Sequence, residues 1–250
     1  MDEVTQLPDD FDGLVRLFPL PDLVVFPHAM QPLHIFEPRY CDMLLESLAG
    51  DRLIAMATLL DASAHTEQAG LGQGVIHRTV CIGRVVSHIE TDQGRHNILL
   101  IGAMRARIRR ELETGRSFRL AEVDPAADYH PAASAQEATE LKTRLLDAFA
   151  AVIPAAATVQ QNLHELMTSQ MGLGPISDII AHTLPLAVGD KLRLLDLPDV
   201  HRRSRLLIQL LSERPAWCSG QHQAVAASAQ QGGGWPAGTA KRFPPPFSLN

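Results

Sequence analysis

Leu17-Phe18-Pro19-Leu20-Pro21-Asp22-Leu23-Val24-Val25-Phe26-Pro27, followed by Pro32-Leu33-His34-Ile35-Phe36-Glu37-Pro38-Arg39-Tyr40, decides how this chain folds at its start. Five prolines, at 19, 21, 27, 32 and 38, forbid a helix through it, because each lacks the amide hydrogen and clashes with a preceding helical turn. The large apolar residues between them predict strand pieces joined by rigid turns. Residues 15–20 read as a short strand, and Leu23, Val24, Val25 and Phe26 as a compact buried one. A helix should begin at Pro38 or Arg39, where a missing N–H costs nothing. Tyr40, Leu44 and Leu48, with Cys41 and Leu45 alongside, then make one apolar stripe, and Gly50 is a natural stop.

Beyond Gly50 the pattern turns to strands. Residues 52–60 read as a strand and 61–78 as a long Gly-containing loop. Further strands are expected at 80–90, 97–101, 104–112 and 118–123, with Asp92-Gln93-Gly94 as a turn and Gly102 as a break. In the segment 104–112, Met104, Ala106 and Ile108 alternate with Arg105, Arg107 and Arg109. Short strands separated by turn signals predict a small, strongly bent sheet or barrel. After Pro125 the character changes. Residues 126–134 form an Ala/Pro-rich linker, and 135–214 show helical spacing. Leu141, Leu145, Leu146 and Phe149 mark one helix, and residues 162–171 a second. A third opens at Pro175 with Ile176, Ile179, Ile180 and Leu184, and residues 188–197 are a fourth. Asp199 caps a last one that turns Val200, Leu206, Leu207, Leu210 and Leu211 inward. The expected class is therefore α+β: a flexible arm over 1–13, a β subdomain over 14–125, and a helical subdomain over 135–214. Residues 215–250, with Gly232-Gly233-Gly234 and Pro244-Pro245-Pro246, are expected to be a disordered tail.

Composition narrows the function. The chain has 250 residues, 46% hydrophobic and 20% charged, an ordinary globular balance with room for a core. A net charge of -6 argues against non-specific nucleic-acid binding, which draws its affinity from a basic face. Cys41, Cys81 and Cys218 are odd in number and include no Cys-x-x-Cys pair, which points to a reducing compartment. Met1-Asp2-Glu3 lacks the basic start of a signal peptide, and no run approaches the ~20 apolar residues of a membrane span. A cytoplasmic location and no membrane partner are expected.

Three chemistries can be weighed on residues. His28, His34 and Glu37 suggest a metal-dependent hydrolase, yet the flanking prolines deny them a shared helical face, and Glu37 pairing with Arg39 in a turn explains the residues equally. Leu163-His164-Glu165-Leu166-Met167 lacks the second histidine of a zinc helix, because position 168 is Thr168. No Gly-x-Ser-x-Gly elbow occurs, and the cluster Gly70-Leu71-Gly72-Gln73-Gly74 lacks the lysine and hydroxyl of a phosphate loop. The expectation is no catalytic residue, no cofactor and no metal. Arg105, Arg107, Arg109 and Arg110 form a basic strip that offers an RNA-binding alternative, without the aromatics that stack bases; a solvated strand face guarding a sheet edge is the plainer account. Phe26, Met30, Ile35, Phe36 and Arg39 lie in the Pro-rigid segment and are the candidates for a groove that accepts extended polypeptide.

The opening block resembles the start of the Lon N-terminal domain. Gly102-Ala103-Met104-Arg105-Ala106-Arg107-Ile108 resembles its Gly-x-x-Arg-x-x-Ile element, and Lys191-Leu192-Arg193-Leu194-Leu195-Asp196 with Asp199, Val200, Arg203 and Leu207 its close. The resemblance runs from about residue 15 to 213. It implies a PUA-like, mostly antiparallel β subdomain, a pseudo-barrel, followed by a helical bundle. It also implies recognition of polypeptide segments or a protein partner, with self-association left open, in a stand-alone form without the ATPase and protease modules of full-length Lon.

Overall fold

The computed structural model describes residues 5–60, 74–91, 94–132, 135–152 and 171–213. The turn residues Asp92 and Gln93, the helix expected at 162–171 (except Met171), most of the 61–78 loop, and the tail lie outside the described residues.

Six strands form one sheet: β1 (Leu14–Pro21), β2 (Met30–Ile35), β3 (Leu53–Leu59), β4 (Thr79–Thr91), β5 (Arg95–Leu112) and β6 (Arg119–Ala126). Their order is β2-β5-β4-β3-β1-β6, and β6 also pairs back onto β5. That return closes β5, β4, β3, β1 and β6 into a barrel, while β2 hangs from the first half of β5. Only β1 and β3 run parallel. The barrel interior follows the two-residue period of strands. Val15 and Leu17, Leu53, Ala55 and Ala57, Val80 and Ile82, Ala106 and Ile108, and Ala121 and Val123 all point into it.

Helix α1 (Pro38–Ala49) closes one side of the sheet, with Tyr40, Met43 and Leu44 buried. The Phe18 and Tyr40 rings meet at 4.5 Å, and Arg16 on β1 pairs with Glu46 and Asp51 at the far end of the helix. Leu45, expected on the apolar stripe, is exposed instead. Four helices follow among the described residues: α2 (Ala135–Val152), α3 (Leu173–Thr183), α4 (Val188–Leu195) and α5 (Val200–Ser212). Leu141, Leu145, Leu146, Phe149, Ile176, Ile180, Val200, Leu207, Leu210 and Leu211 form their common core. The Asp199 carboxylate accepts from the Arg202 amide at 2.9 Å, the N-cap expected for α5.

Two expectations about the β-rich half need correction. Residues 23–26 are not a strand; they are an irregular segment in which Val24, Val25 and Phe26 are buried. Val25 packs with α1 and the sheet, while Val24 and Phe26 belong to the helical core, so this segment is the plug between the two halves. Gly102 does not break its strand either, because β5 runs through it. A Cβ at Gly102 would lie 2.0 Å from the Phe26 carbonyl oxygen. The glycine is there so that the plug can touch the sheet, and the His28 amide donates to the Gly102 carbonyl at 2.8 Å. A register shift in the β4–β5 pairing next to Gly102 bends the strand at this contact.

Candidate functional site

Two places combine unusual residues with position. The first is buried. Arg105 from β5 and Arg203 from α5 lie beneath the surface, together with Asp178 from α3. Arg105 Nη1 donates to Asp178 at 2.9 Å and its Nη2 makes a closer bond to the same carboxylate. Its Nε donates to the Leu195 carbonyl at 3.1 Å. Arg203 pairs with Asp178 at 3.1 Å and with Asp128 at 2.7 Å, and donates to Ser177 Oγ at 3.0 Å and to the Leu197 carbonyl at 2.7 Å. Asp128 also reaches Arg105 at 3.2 Å. Two guanidinium groups and two carboxylates make a neutral set whose donors are satisfied, the condition under which charges tolerate burial. Burial works against the Arg105 charge, and Asp178 with Asp128 overcomes it, leaving the guanidinium more basic than usual. Gly174 belongs to this set, since a Cβ there would lie 2.5 Å from Asp128 Oδ2. The cluster is a strut between barrel and helices.

This position corrects the arginine strip. Arg105 does not face solvent, because α3, α4 and α5 cover its side of β5. Arg107, Arg109 and Arg110 are exposed, but Arg109 pairs with Asp124 at 2.6 Å and Arg110 hydrogen-bonds Glu122 at 2.8 Å. The neighbouring Arg119 is likewise bound to Glu111. What remains is a face of mixed sign.

The second place is exposed and apolar. On β2 the side chains of Met30, Pro32 and His34 point outward, opposite Ile101, Leu99 and Asn97 on β5. His34 Nδ1 and Asn97 Oδ1 lie 2.7 Å apart, and Phe36 stacks on the His34 ring at 5.8 Å. Asn97 in turn is paired with Ile89 on β4. Met30 is 40% exposed, Phe36 60% and Ile89 47%, with Leu99 and Ile101 half-buried between them. The result is a largely apolar sheet face, crossed by the polar His34–Asn97 pair. The edge of β2 beside it is blunted: Pro32 has no N–H to give, and the Gln31 side chain donates to the Pro32 carbonyl at 2.9 Å. A ligand is therefore offered side chains more readily than a strand edge.

Of the five residues expected to meet polypeptide, Met30 and Phe36 are on this face. Phe26 and Ile35 are not, since both are fully buried, Phe26 as the plug and Ile35 under α1. Arg39 is half-buried, its Nε and Nη2 bonded to Glu37 at 3.0 Å and 2.7 Å and its guanidinium lying over the Tyr40 ring, so it is held in the turn. Pro32, Ile89, Leu99 and Ile101 were not expected. Their signal was the run Ile98-Leu99-Leu100-Ile101, apolar on both strand faces where only one can enter a core.

The residues of the hydrolase alternative do not converge. His28 sits beside the buried charges, His34 is bonded to Asn97, and Glu37 to Arg39. Among the described residues no group of three or more His, Cys, Asp or Glu could hold a metal. Burial lowers the His28 pKa against the pull of Asp178 and Asp128, and it pushes the Cys81 and Cys41 thiols up, away from the thiolate a nucleophile needs. No helix among the described residues is long and apolar enough to cross a membrane.

A closed barrel with a hanging edge strand, braced by a helical bundle through a buried charge cluster, is the α+β pseudo-barrel class expected from the sequence. A family model, the ATP-dependent protease La (LON) substrate-binding domain, matches residues 15–213. The chain belongs to that family. It is 24% identical over 225 residues to a Lon protease of Trichlorobacter lovleyi, covering 88% of this chain and 26% of that one. Against the Lon protease of Escherichia coli K12 the identity is 23% over 199 residues, 79% of this chain and 24% of the relative. The chain thus spans about a quarter of the length of the curated relatives it matches. Two solved structures share the fold. A Lon N-terminal domain protein from Xanthomonas campestris superposes with a TM-score of 0.53 at 24% identity, covering 80% of this chain and 97% of that one. The N-terminal domain of a Mycobacterium avium complex Lon protease gives 0.58 at 16%, covering 80% and 99%.

Proposed function

We propose that this chain recognises polypeptide segments through the apolar outer face of β2, β5 and β4, without catalysis of its own. The observation that carries the proposal is that face: Met30, Pro32, Phe36 and Ile89 stand in water on a rigid sheet. Exposed apolar surface of this kind is costly to keep and marks interaction sites. Its rigidity lowers the ordering cost of binding, and side chains of an extended chain can lie against it. Membership of a substrate-binding family supports the same reading. The raised thiols and the scattered histidines support the absence of chemistry. The two free thiols described, Cys41 and Cys81, agree with a reducing, cytoplasmic setting.

Titration with a permanently unfolded, carboxymethylated model protein tests it. Met30→Asp with Phe36→Asp should weaken binding about tenfold or more, as expected when anchor residues are lost. Arg107→Ala with Arg109→Ala should leave it nearly unchanged. Equal affinity of all three proteins, or dependence on the arginines alone, would remove the proposal, as would turnover of ATP or of a protein by the purified chain.

A further inference from the structure

We infer that residues 241–249 of this same chain dock on the apolar face of β2, β5 and β4 and compete there with incoming polypeptide. The inference rests on the reading of that face as the polypeptide site and adds a regulator to it. Four observations select this occupant. The first is charge. Residues 214–250 contain Arg214, Lys241 and Arg242 and no Asp or Glu, so the -6 of the whole chain leaves -9 on residues 1–213. A segment of +3 tethered to a body of -9 is attracted to it.

The second is composition. The segment reads Lys241-Arg242-Phe243-Pro244-Pro245-Pro246-Phe247-Ser248-Leu249. Consecutive prolines favour the extended polyproline helix, which binds aromatic-lined surfaces at low ordering cost. The stacked His34 and Phe36 rings, with Pro32 and Met30 beside them, supply such a surface.

The third is spacing. At ~3.1 Å per residue, Phe243 and Phe247 stand ~12 Å apart in that helix. Met30 and His34 on β2 are four residues apart, or ~13 Å at strand rise. One phenylalanine can meet the Phe36–Ile89 end of the face while the other meets the Met30–Ile101 end.

The fourth is reach. Twenty-nine residues separate Glu213 from Phe243, enough to span up to ~95 Å when extended. A folded body of this size has a radius of gyration of only ~16 Å. Tethering gives an effective concentration in the millimolar range, so a contact too weak to hold a free peptide is populated within the chain.

The test uses the full chain. Both tryptophans, Trp217 and Trp235, lie in this region, so Trp217→Phe with Trp235→Phe and Phe247→Trp leaves one reporter within the segment. Acrylamide quenching of that reporter should be several-fold weaker than in a free peptide of residues 239–250 with the same Phe247→Trp change. Adding Met30→Asp and Phe36→Asp should raise it to the peptide value. Both residues are exposed, so the fold, checked by denaturant unfolding, is retained. Quenching equal to that of the peptide overturns the inference, and so does protection that disappears on dilution, which would make the occupant a second copy.

Client binding separates this inference from the reading beneath it. Phe243→Ser with Phe247→Ser in the full chain should raise affinity for the unfolded protein about tenfold. If the reporter is freely quenched while that protein still binds the face, the segment has no role and the polypeptide site stands. If the reporter is protected but the Phe243→Ser, Phe247→Ser chain binds no polypeptide, the docking stands and the broader reading fails.

Discussion

The strut at the barrel–helix junction and the outer face of β2, β5 and β4 invert the usual placement of residues. Arg105, Arg203 and Asp178 are within the protein, whereas Met30, Phe36 and Ile89 are on its surface. Each inversion has a different cause. The charges are tolerated because every one faces an opposite charge and the remaining donors meet Ser177, Leu195 and Leu197. The apolar residues are on the surface because, among the described residues, no second layer covers that part of the sheet. One site therefore answers to folding and its satisfaction is complete, while the other contributes little to the fold and, on the proposed function, answers to a bound polypeptide.

If that contrast is right, removing one partner from the strut has the largest effect. Arg203→Met leaves Asp178 and Asp128 facing Arg105 alone, with a carboxylate uncompensated in the interior. A loss of about 3–5 kcal/mol is expected, read by urea unfolding with the midpoint falling steeply. Arg203→Met combined with Asp178→Leu should recover part of it, because an apolar set of similar volume avoids the desolvation penalty. No recovery would mean that the strut acts through shape alone. Next in size is Gly102→Ala. The new methyl would meet the Phe26 carbonyl, a backbone atom that moves only if the plug moves. Overpacking of this kind costs about 1–3 kcal/mol, and the change should appear as loosening between barrel and helices in hydrogen exchange at the His28 amide.

These same two elements show what could be read in advance. The barrel-first, helices-second order was legible because strand and helix periods differ, and the α5 cap was legible because Asp199 precedes an apolar repeat. The strut was not. Arg105 alternates with Ala106 just as Arg107 does, and periodicity assigns a side but not what covers that side. Only the arrival of α3, α4 and α5 buries one arginine and leaves the next in water. A trace of it existed in the helices, where Asp178 sits among Ile176, Ile179 and Ile180, and Arg203 between Val200 and Leu207, in stripes that should be apolar. The plug misled for a related reason. Val24-Val25-Phe26 is apolar enough to be a buried strand, but its contacts divide between two cores, so it pairs with neither as a strand. Of the candidate site, Met30 and Phe36 could be named because the prolines around them restrict packing. Ile89 and Leu99 could not, because their exposure depends on what packs over that face of the sheet, which periodicity does not report.

Smaller effects sharpen the comparison. Asp199→Ala removes the α5 cap and should cost about 1 kcal/mol without touching either site. It calibrates the helical half: its midpoint shift should be well short of that of Arg203→Met although the two residues are on neighbouring turns. The smallest effect on folding should come from Phe36→Ala, and it is the most informative. Phe36 is 60% exposed and its one ring contact is the exposed His34, so truncation should change stability by no more than about 0.5 kcal/mol. An aromatic ring held in water with so little return to the fold must be accounted for by what it contacts outside it. If Phe36→Ala instead destabilised the protein as strongly as Gly102→Ala, the ring would belong to the core, the face would lose its most exposed member, and the contrast with the strut would collapse into two variants of internal packing.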